Sequence, residues 1–170
     1  PQNAHPRLAR LGNAFEEFLK VLEDLHLEYD LGCEDIIADH GSVDRAAFVV
    51  GHRHYDTVIL PPFFETMNRS TYDLLKRFVL NDGRVLAFDN PPPRLDAKLS
   101  GKVTDLARNH DNWVMAHDVE DFRADLVSPD FEMLQPFDLG GDVYHMRRDI
   151  DDGQIIFLSN FSLEEAAVGT

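Results

Sequence analysis

The sequence predicts an α/β fold in which an open, three-layer parallel sheet carries helices on both faces and is followed by an antiparallel β-hairpin. Two short segments, residues 55–60 (YDTVIL) and 84–88 (RVLAF), have the continuous apolarity of parallel strands that are buried on both faces. Between them, residues 72–80 place their apolar side chains at helical spacing. This strand, helix and strand fit within the roughly 35 residues of one right-handed βαβ unit.

Turn residues set the ends of these elements. Pro61-Pro62 stops the first strand and residues 90–93 (NPPP) stop the second, because proline cannot donate to a sheet ladder. Ser70 and Thr71 can cap the helix, and residues 81–83 (NDG) end it. The other predicted elements are helices over 8–25, 33–40, 103–110 and 119–127, strands over 46–50 and 112–116, and an extended segment over 26–30.

The end of the chain has a different pattern. Residues 142–148 and 154–160 are predicted to be antiparallel strands, joined by a turn with an Asp-Gly signal. We therefore divide the chain into an α/β domain over 1–140 and a hairpin over 141–170, which is either an edge addition or the start of a following β-sandwich. The chain opens on a polar stretch and a helix, so we also expect that a first core strand is missing.

Composition excludes several classes of partner. The net charge is −15, with 31 acidic against 16 basic residues, so the surface repels phosphate backbones and anionic lipids. The longest apolar runs are too short to span a bilayer. We therefore expect neither nucleic acid nor a membrane as a partner.

Cys33 is the only cysteine, which rules out a disulfide within the chain and a thiolate zinc site. Its acidic neighbours Glu34 and Asp35 disfavour the thiolate, so we expect an inert thiol. One cysteine suits a reducing compartment, and a cytoplasmic location is favoured. The phosphate-binding and nucleophile-elbow motifs GxGxxG, GxxxxGK[ST] and GxSxG are absent, so no cofactor is expected.

Four polar residues are candidates for facing a ligand. Asp89 and Asn90 follow a predicted core strand, at the edge where open α/β sheets place their catalytic residues, although an Asx turn explains them as well. His52 and His54 are two residues apart, but no third or fourth ligand has a diagnostic spacing, so no metal site is predicted. A hydrolase or transferase would need Asp89, Asn90 and one of these histidines to converge in a pocket.

A carbohydrate-binding module is a second alternative. Such a module presents an exposed aromatic platform, and the candidates for it are Trp113, Tyr144 and Phe63. The plentiful carboxylates give no glycosidase-type pair, because acidic side chains in so acidic a chain are most often solvated.

Several segments together resemble a known family. They are residues 29–37 (YDLGCEDII), 50–51 (VG), 55–61 (YDTVILP), 74–79 (LLKRFV) and 83–86 (GRVL). This order resembles the flavodoxin-like accessory domain of large bacterial glycoside hydrolases, which shares the class I glutamine amidotransferase-like fold. It is similar to the trimerisation domain of certain β-galactosidases and to a domain of α-L-rhamnosidase-like proteins. Residues 153–162 (GQIIFLSNFS) look like the opening of the β-sandwich that follows in such proteins.

The resemblance implies an accessory domain without a catalytic residue of its own. No Cys follows either clear core strand, so amidotransferase activity is not implied, and the catalytic acids of the hydrolases lie on a barrel domain outside this chain. The implied partners are that catalytic barrel and, in a homo-oligomer, further copies of the chain. The implied work is oligomerisation or packing against the barrel of an enzyme that acts on carbohydrate.

Overall fold

The computed structural model describes residues 6–25, 27–88, 90–117, 121–122 and 143–166. The chain divides into two compact units, residues 1–18 with 31–126 and residues 19–30 with 127–170. The described helices are α1 (Pro6–Asp24), α2 (Glu34–His40), α3 (Arg69–Leu80) and α4 (Lys102–Arg108). The described strands are β1 (Gly41–Asp44), β2 (Ala47–Val50), β3 (Arg53–Tyr55), β4 (Thr57–Leu60), β5 (Thr66–Met67), β6 (Arg84–Phe88), β7 (Arg94–Leu95), β8 (Lys98–Leu99), β9 (Trp113–Ala116), β10 (Val143–Ile150) and β11 (Gly153–Asn160).

A parallel sheet forms the centre of the first unit. Its order is β4-β6-β9, with Thr57 opposite Arg84 and Val85 opposite Trp113. Helix α3 connects β4 to β6, and α4 precedes β9, as the alternation of apolar periods predicts. The mixed α/β class and the parallel sheet are confirmed.

Apolar side chains cover β6 on both of its faces. Val85 and Ala87 belong to the core cluster that also contains Phe78 of α3 and Leu106 of α4. Successive side chains of a strand point to opposite faces, so Phe88 lies on the other side. There its ring contacts those of Phe18 and Phe122 at centroid distances of 5.8 and 5.7 Å.

Two small sheets were not predicted in full. Strands β1, β2 and β3 form an antiparallel meander, and β5, β7 and β8 form a second small sheet. Only β2 was expected, because β1 and β3 expose polar side chains and lack an apolar alternation. The turn between β1 and β2 has no Gly or Asn, and Arg45 adopts a φ of 51° there. A sequence pattern gives no sign of such a turn.

The second unit contains the predicted hairpin, which is confirmed. Strands β10 and β11 pair antiparallel from Val143 opposite Asn160 to Ile150 opposite Gly153. The two-residue turn is therefore Asp151-Asp152, and Gly153 lies in the strand rather than in the turn. Residues 27–30 belong to neither a helix nor a strand, and the predicted helix over 119–127 lies, apart from residues 121–122, outside the described residues.

Asn112 joins the end of α3 to the start of β9. Its side-chain amide donates to the carbonyl oxygens of Val79 and Gly83 at 2.9 and 2.6 Å. Replacing Asn112 by Ala leaves both half-buried carbonyls without this donor, and we expect the free energy of unfolding to fall by about 1–3 kcal/mol. Asn112→Asp should cost more, because a carboxylate would face two carbonyl oxygens. Urea denaturation measures both effects.

The matched control is Asn109→Ala. Asn109 is exposed at the end of α4. Its backbone N–H donates to the carbonyl oxygen of Asp105, and the Ala variant keeps this hydrogen bond. A change within about 0.5 kcal/mol is expected for this surface substitution. Equal losses for Asn109→Ala and Asn112→Ala would show that the side-chain bridge does not stabilise the fold.

Candidate functional site

The structure does not bring the predicted polar candidates together. His52 is exposed in the turn between β2 and β3, and His54 is exposed within β3. Both precede β4, whereas Asn90 is exposed beyond the carboxyl end of β6. Since β4 and β6 are parallel neighbours, the histidines and Asn90 lie at opposite ends of the sheet. Asp89 lies outside the described residues.

No cluster in the described part of the chain has the composition of a metal site. There, no three side chains of His, Cys, Asp or Glu are grouped so that they could hold a metal ion. Cys33 is exposed at the N-cap of α2 and makes no side-chain capping hydrogen bond.

The aromatic candidates have three different environments. Trp113 is only 4% exposed in the core, so its expected role in an exposed platform is wrong. Trp113 pairs with Val85 of β6 and belongs to the core cluster around α3, which explains its burial. Tyr144 is half-buried and stacks edge-on against Phe161 at 4.9 Å. Phe63 is 42% exposed.

Phe63 stands in the loop that leaves the carboxyl end of β4. Its φ is 57°, a left-handed backbone conformation that is costly for a bulky residue. Backbone strain of this kind costs about 1–3 kcal/mol and is concentrated at binding sites. Because the ring stays largely outside the core, burial of Phe63 does not explain the strain.

Three arginines surround this loop. Arg7 and Arg10 are three residues apart on α1, so they share one face of the helix. Arg7 donates to the carboxylate of Glu65, and the guanidinium of Arg10 lies 4.8 Å from the centroid of the Phe63 ring. Arg94 of β7 is the register partner of Thr66, the residue after Glu65.

The arginines lower the pKa of Glu65. The hydrogen bond from Arg7 lowers the pKa of the Glu65 carboxyl below its ordinary value, and the charges of Arg7 and Arg94 lower it further. The four charged side chains described at this loop thus comprise three arginines and one glutamate, in a chain whose net charge is −15. Sequence analysis missed the cluster, because the predicted helix began at residue 8 and did not include Arg7, whereas α1 begins at Pro6.

The second unit presents a different surface, formed by β11. All eight residues of this strand are exposed, and none of them carries a charge. Residues opposite each other in an antiparallel pair share a face. One face of the hairpin therefore holds the exposed side chains of Met146, Ile150, Ile155 and Phe157.

The opposite face of the hairpin is engaged within its own unit. Arg147 donates to the carboxylate of Glu28 at 2.8 Å, and the buried imidazole of His145 lies 4.0 Å from the same carboxylate. The neighbouring Tyr29 donates to Glu23 at 2.7 Å. Burial, followed by that hydrogen bond, raises the pKa of Tyr29 to about 12. Polar contacts thus join Glu28 to this side of the hairpin, where Ile156 and Leu158 nevertheless stay 41% and 58% exposed.

Comparisons with protein-family models, with curated proteins and with solved structures found no match to this chain. In the described residues, no helix has both the length and the apolarity needed to span a membrane.

Proposed function

We propose that this chain is a non-catalytic accessory domain of a larger bacterial glycoside hydrolase that acts on carbohydrate. It is of flavodoxin-like, three-layer type, and the hairpin β10–β11 docks on strands of another domain of the same polypeptide. A β-sandwich that follows the α/β domain is the occupant that the resemblance of residues 153–162 favours, and the catalytic barrel is the further partner.

The observation that carries this proposal is the exposure of β11. In the described part of the chain β11 pairs only with β10, and this edge strand of eight residues has neither a charge nor a proline to keep it from pairing further. A two-stranded hairpin is also marginal by itself, and it gains stability when further strands cover its apolar face. Burying one Ile, Leu or Phe side chain contributes about 1.5–3 kcal/mol, so Ile155 and Phe157 alone favour a covered state.

The first unit supports the three-layer type. Val85 and Ala87 pack with α3 on one face of β6, and Phe88 packs with Phe18 of α1 on the other face. Helices on both faces of a parallel sheet are the arrangement of doubly wound domains.

A domain of the same polypeptide suits the hairpin better than a second copy of the chain. Two copies would each bring a net charge of −15 to the interface, and the repulsion opposes their association. A tethered domain also avoids most of the translational and rotational entropy that two separate molecules lose.

Hydrogen exchange tests the proposal. We compare the backbone amides of β11 in the 170-residue chain with the same amides in the complete product of the natural gene. Pairing with further strands should slow their exchange by about tenfold to a hundredfold. The amides of a covered sheet exchange only when the whole sheet opens. Equal exchange in the two proteins contradicts the proposal. Protection that rises with concentration in the 170-residue chain would assign the strand to self-association instead.

Phe157→Lys gives an independent prediction. In the complete gene product the new ammonium would be buried among apolar strands, and we expect the free energy of unfolding to fall by about 2–4 kcal/mol. In the 170-residue chain the same residue is 52% exposed, so the change should stay within about 0.5 kcal/mol. Asp152→Lys, in the exposed hairpin turn, is the control and should be nearly neutral in both proteins. Thermal and urea denaturation of the three variants measure the difference.

A further inference from the structure

The loop around Phe63 has the position of a ligand site. Open α/β sheets bind their ligands beyond the carboxyl ends of the parallel strands. Residues 61–65 leave β4 at that edge, and Asn90, which is exposed, leaves the neighbouring strand β6 at the same edge. Two residues singled out from the sequence, Asn90 and Phe63, thus lie at one edge of the sheet, and the ring of Phe63 contacts Arg10 there.

In the part of the chain that the structure describes, two of these arginines form no ion pair with a carboxylate. Within the described residues, Arg10 makes only its contact with the Phe63 ring, and Arg94 makes no ion pair. Arg7 is already engaged by Glu65. The guanidinium groups of Arg10 and Arg94 can therefore take a further anion, and guanidinium forks match the planar geometry of a carboxylate.

The prolines of the two loops favour a carboxylate over a phosphate as the group that is bound. Phosphate sites in α/β proteins use backbone N–H groups at a turn before a helix. Here Pro61, Pro62 and residues 91–93 (PPP) have no N–H to offer. Recognition therefore depends on side-chain donors, and Arg10 and Arg94 supply them.

The exposed ring of Phe63 indicates that the ligand also has an apolar face. A ring that is 42% exposed and held in a strained loop offers an apolar surface beside the guanidinium of Arg10. The C–H face of a sugar ring packs on such a surface, and the Asn90 carboxamide can meet a hydroxyl group at the same edge. We propose that this edge binds a carboxylated sugar, a uronate unit, with its carboxylate at Arg10 and Arg94 and its ring against Phe63. This site belongs to the first unit and does not rest on the docking role of the hairpin.

NMR titration of the 170-residue chain tests the site. The probes are trigalacturonate, its neutral methyl ester and benzoate, each followed through the side-chain N–H signals of Arg10 and Arg94 and the amide of Phe63. Trigalacturonate should bind with a Kd of about 1 mM at low salt and more weakly as ionic strength rises. Arg10→Gln and Arg94→Gln should each weaken it by about threefold to tenfold.

Arg77→Gln is the matched control, because Arg77 is exposed on α3 away from the loop, and it should leave the affinity unchanged. Retained dispersion of the amide spectrum shows that each variant is folded. Equal binding of the methyl ester overturns recognition of the carboxylate, and equal binding of benzoate overturns the sugar. An absence of shifts at about ten times the expected Kd overturns the site as a whole. None of these outcomes depends on β11, so they leave the docking proposal to its own test.

Discussion

Replacing Phe78 by Ala is expected to lower the free energy of unfolding of the first unit by about 3–5 kcal/mol. The side chain is completely buried on α3 and meets the ring of Phe48 edge-on at 5.6 Å. Its removal loses the transfer free energy of an aromatic ring and leaves a cavity that the strands on either side cannot close. Because whole proteins are stable by only about 5–15 kcal/mol, this one change removes a large part of the total.

Trp113 provides the measurement. It is the only tryptophan and is buried in the same cluster as Phe78, so its fluorescence follows unfolding of this core. Urea titrations of Phe78→Leu and Phe78→Ala should show a graded loss, the Leu variant losing less than about half as much because it keeps more volume. Leu80→Ala, two residues further along α3 and 57% exposed, should change stability by less than about 1 kcal/mol. Similar losses at positions 78 and 80 would contradict the burial of α3 described above.

The parallel sheet could be predicted because apolar residues are spaced differently in its strands and in its helices. The segments YDTVIL and RVLAF are apolar along most of their length, and the helix between them has apolar residues three and four apart. Both signals are local, so they do not depend on what the segments contact. Strands β1 and β3 could not be found in this way, because their side chains are mostly exposed and polar and their pairing depends on β2.

The candidate site was less predictable because it is made of distant residues. Arg7 and Glu65 are 58 positions apart in the sequence, and Arg10 meets Phe63 only because α1 and the loop after β4 fold onto each other. Sequence analysis identified the edge through Asn90 and named Phe63 among three aromatics. It gave Trp113 equal weight, because aromatic residues in strands are exposed or buried according to neighbours that a single sequence does not reveal.

The end of α3 gives a second example of a structural detail that the sequence does not reveal. The segment 81–83 (NDG) predicts a helix end, and the structure has one: the N–H groups of Asp82 and Gly83 donate to Val79 and Phe78 in a Schellman motif. Glycine usually takes the left-handed position of this motif. Here Asp82 takes it, with φ of 63°, and Gly83 is the next residue. The requirement for glycine at position 83 therefore has a different cause.

That cause is contact with Phe78, and it predicts a large effect of Gly83→Ala. A Cβ atom at position 83 would overlap the ring of Phe78, which has no free space around it. The ring or the backbone has to shift, and overpacking of this kind costs about 1–3 kcal/mol. The backbone at Gly83 also accepts a hydrogen bond from Asn112 at 2.6 Å, so a shift there would strain the link to β9 as well. Urea denaturation followed by Trp113 fluorescence measures the loss.

A double-mutant cycle separates the overlap with the ring from any intrinsic preference for glycine. In the Phe78→Ala background the ring is gone, and Gly83→Ala should then cost less than about 0.5 kcal/mol, so that the two changes are strongly non-additive. Gly153→Ala, where an added Cβ would meet nothing within 4 Å, controls for the loss of glycine itself. If Gly83→Ala costs the same with and without the ring, the glycine is needed for its backbone conformation. If the cost disappears with the ring, Gly83 is there because the buried ring of Phe78 lies directly against it.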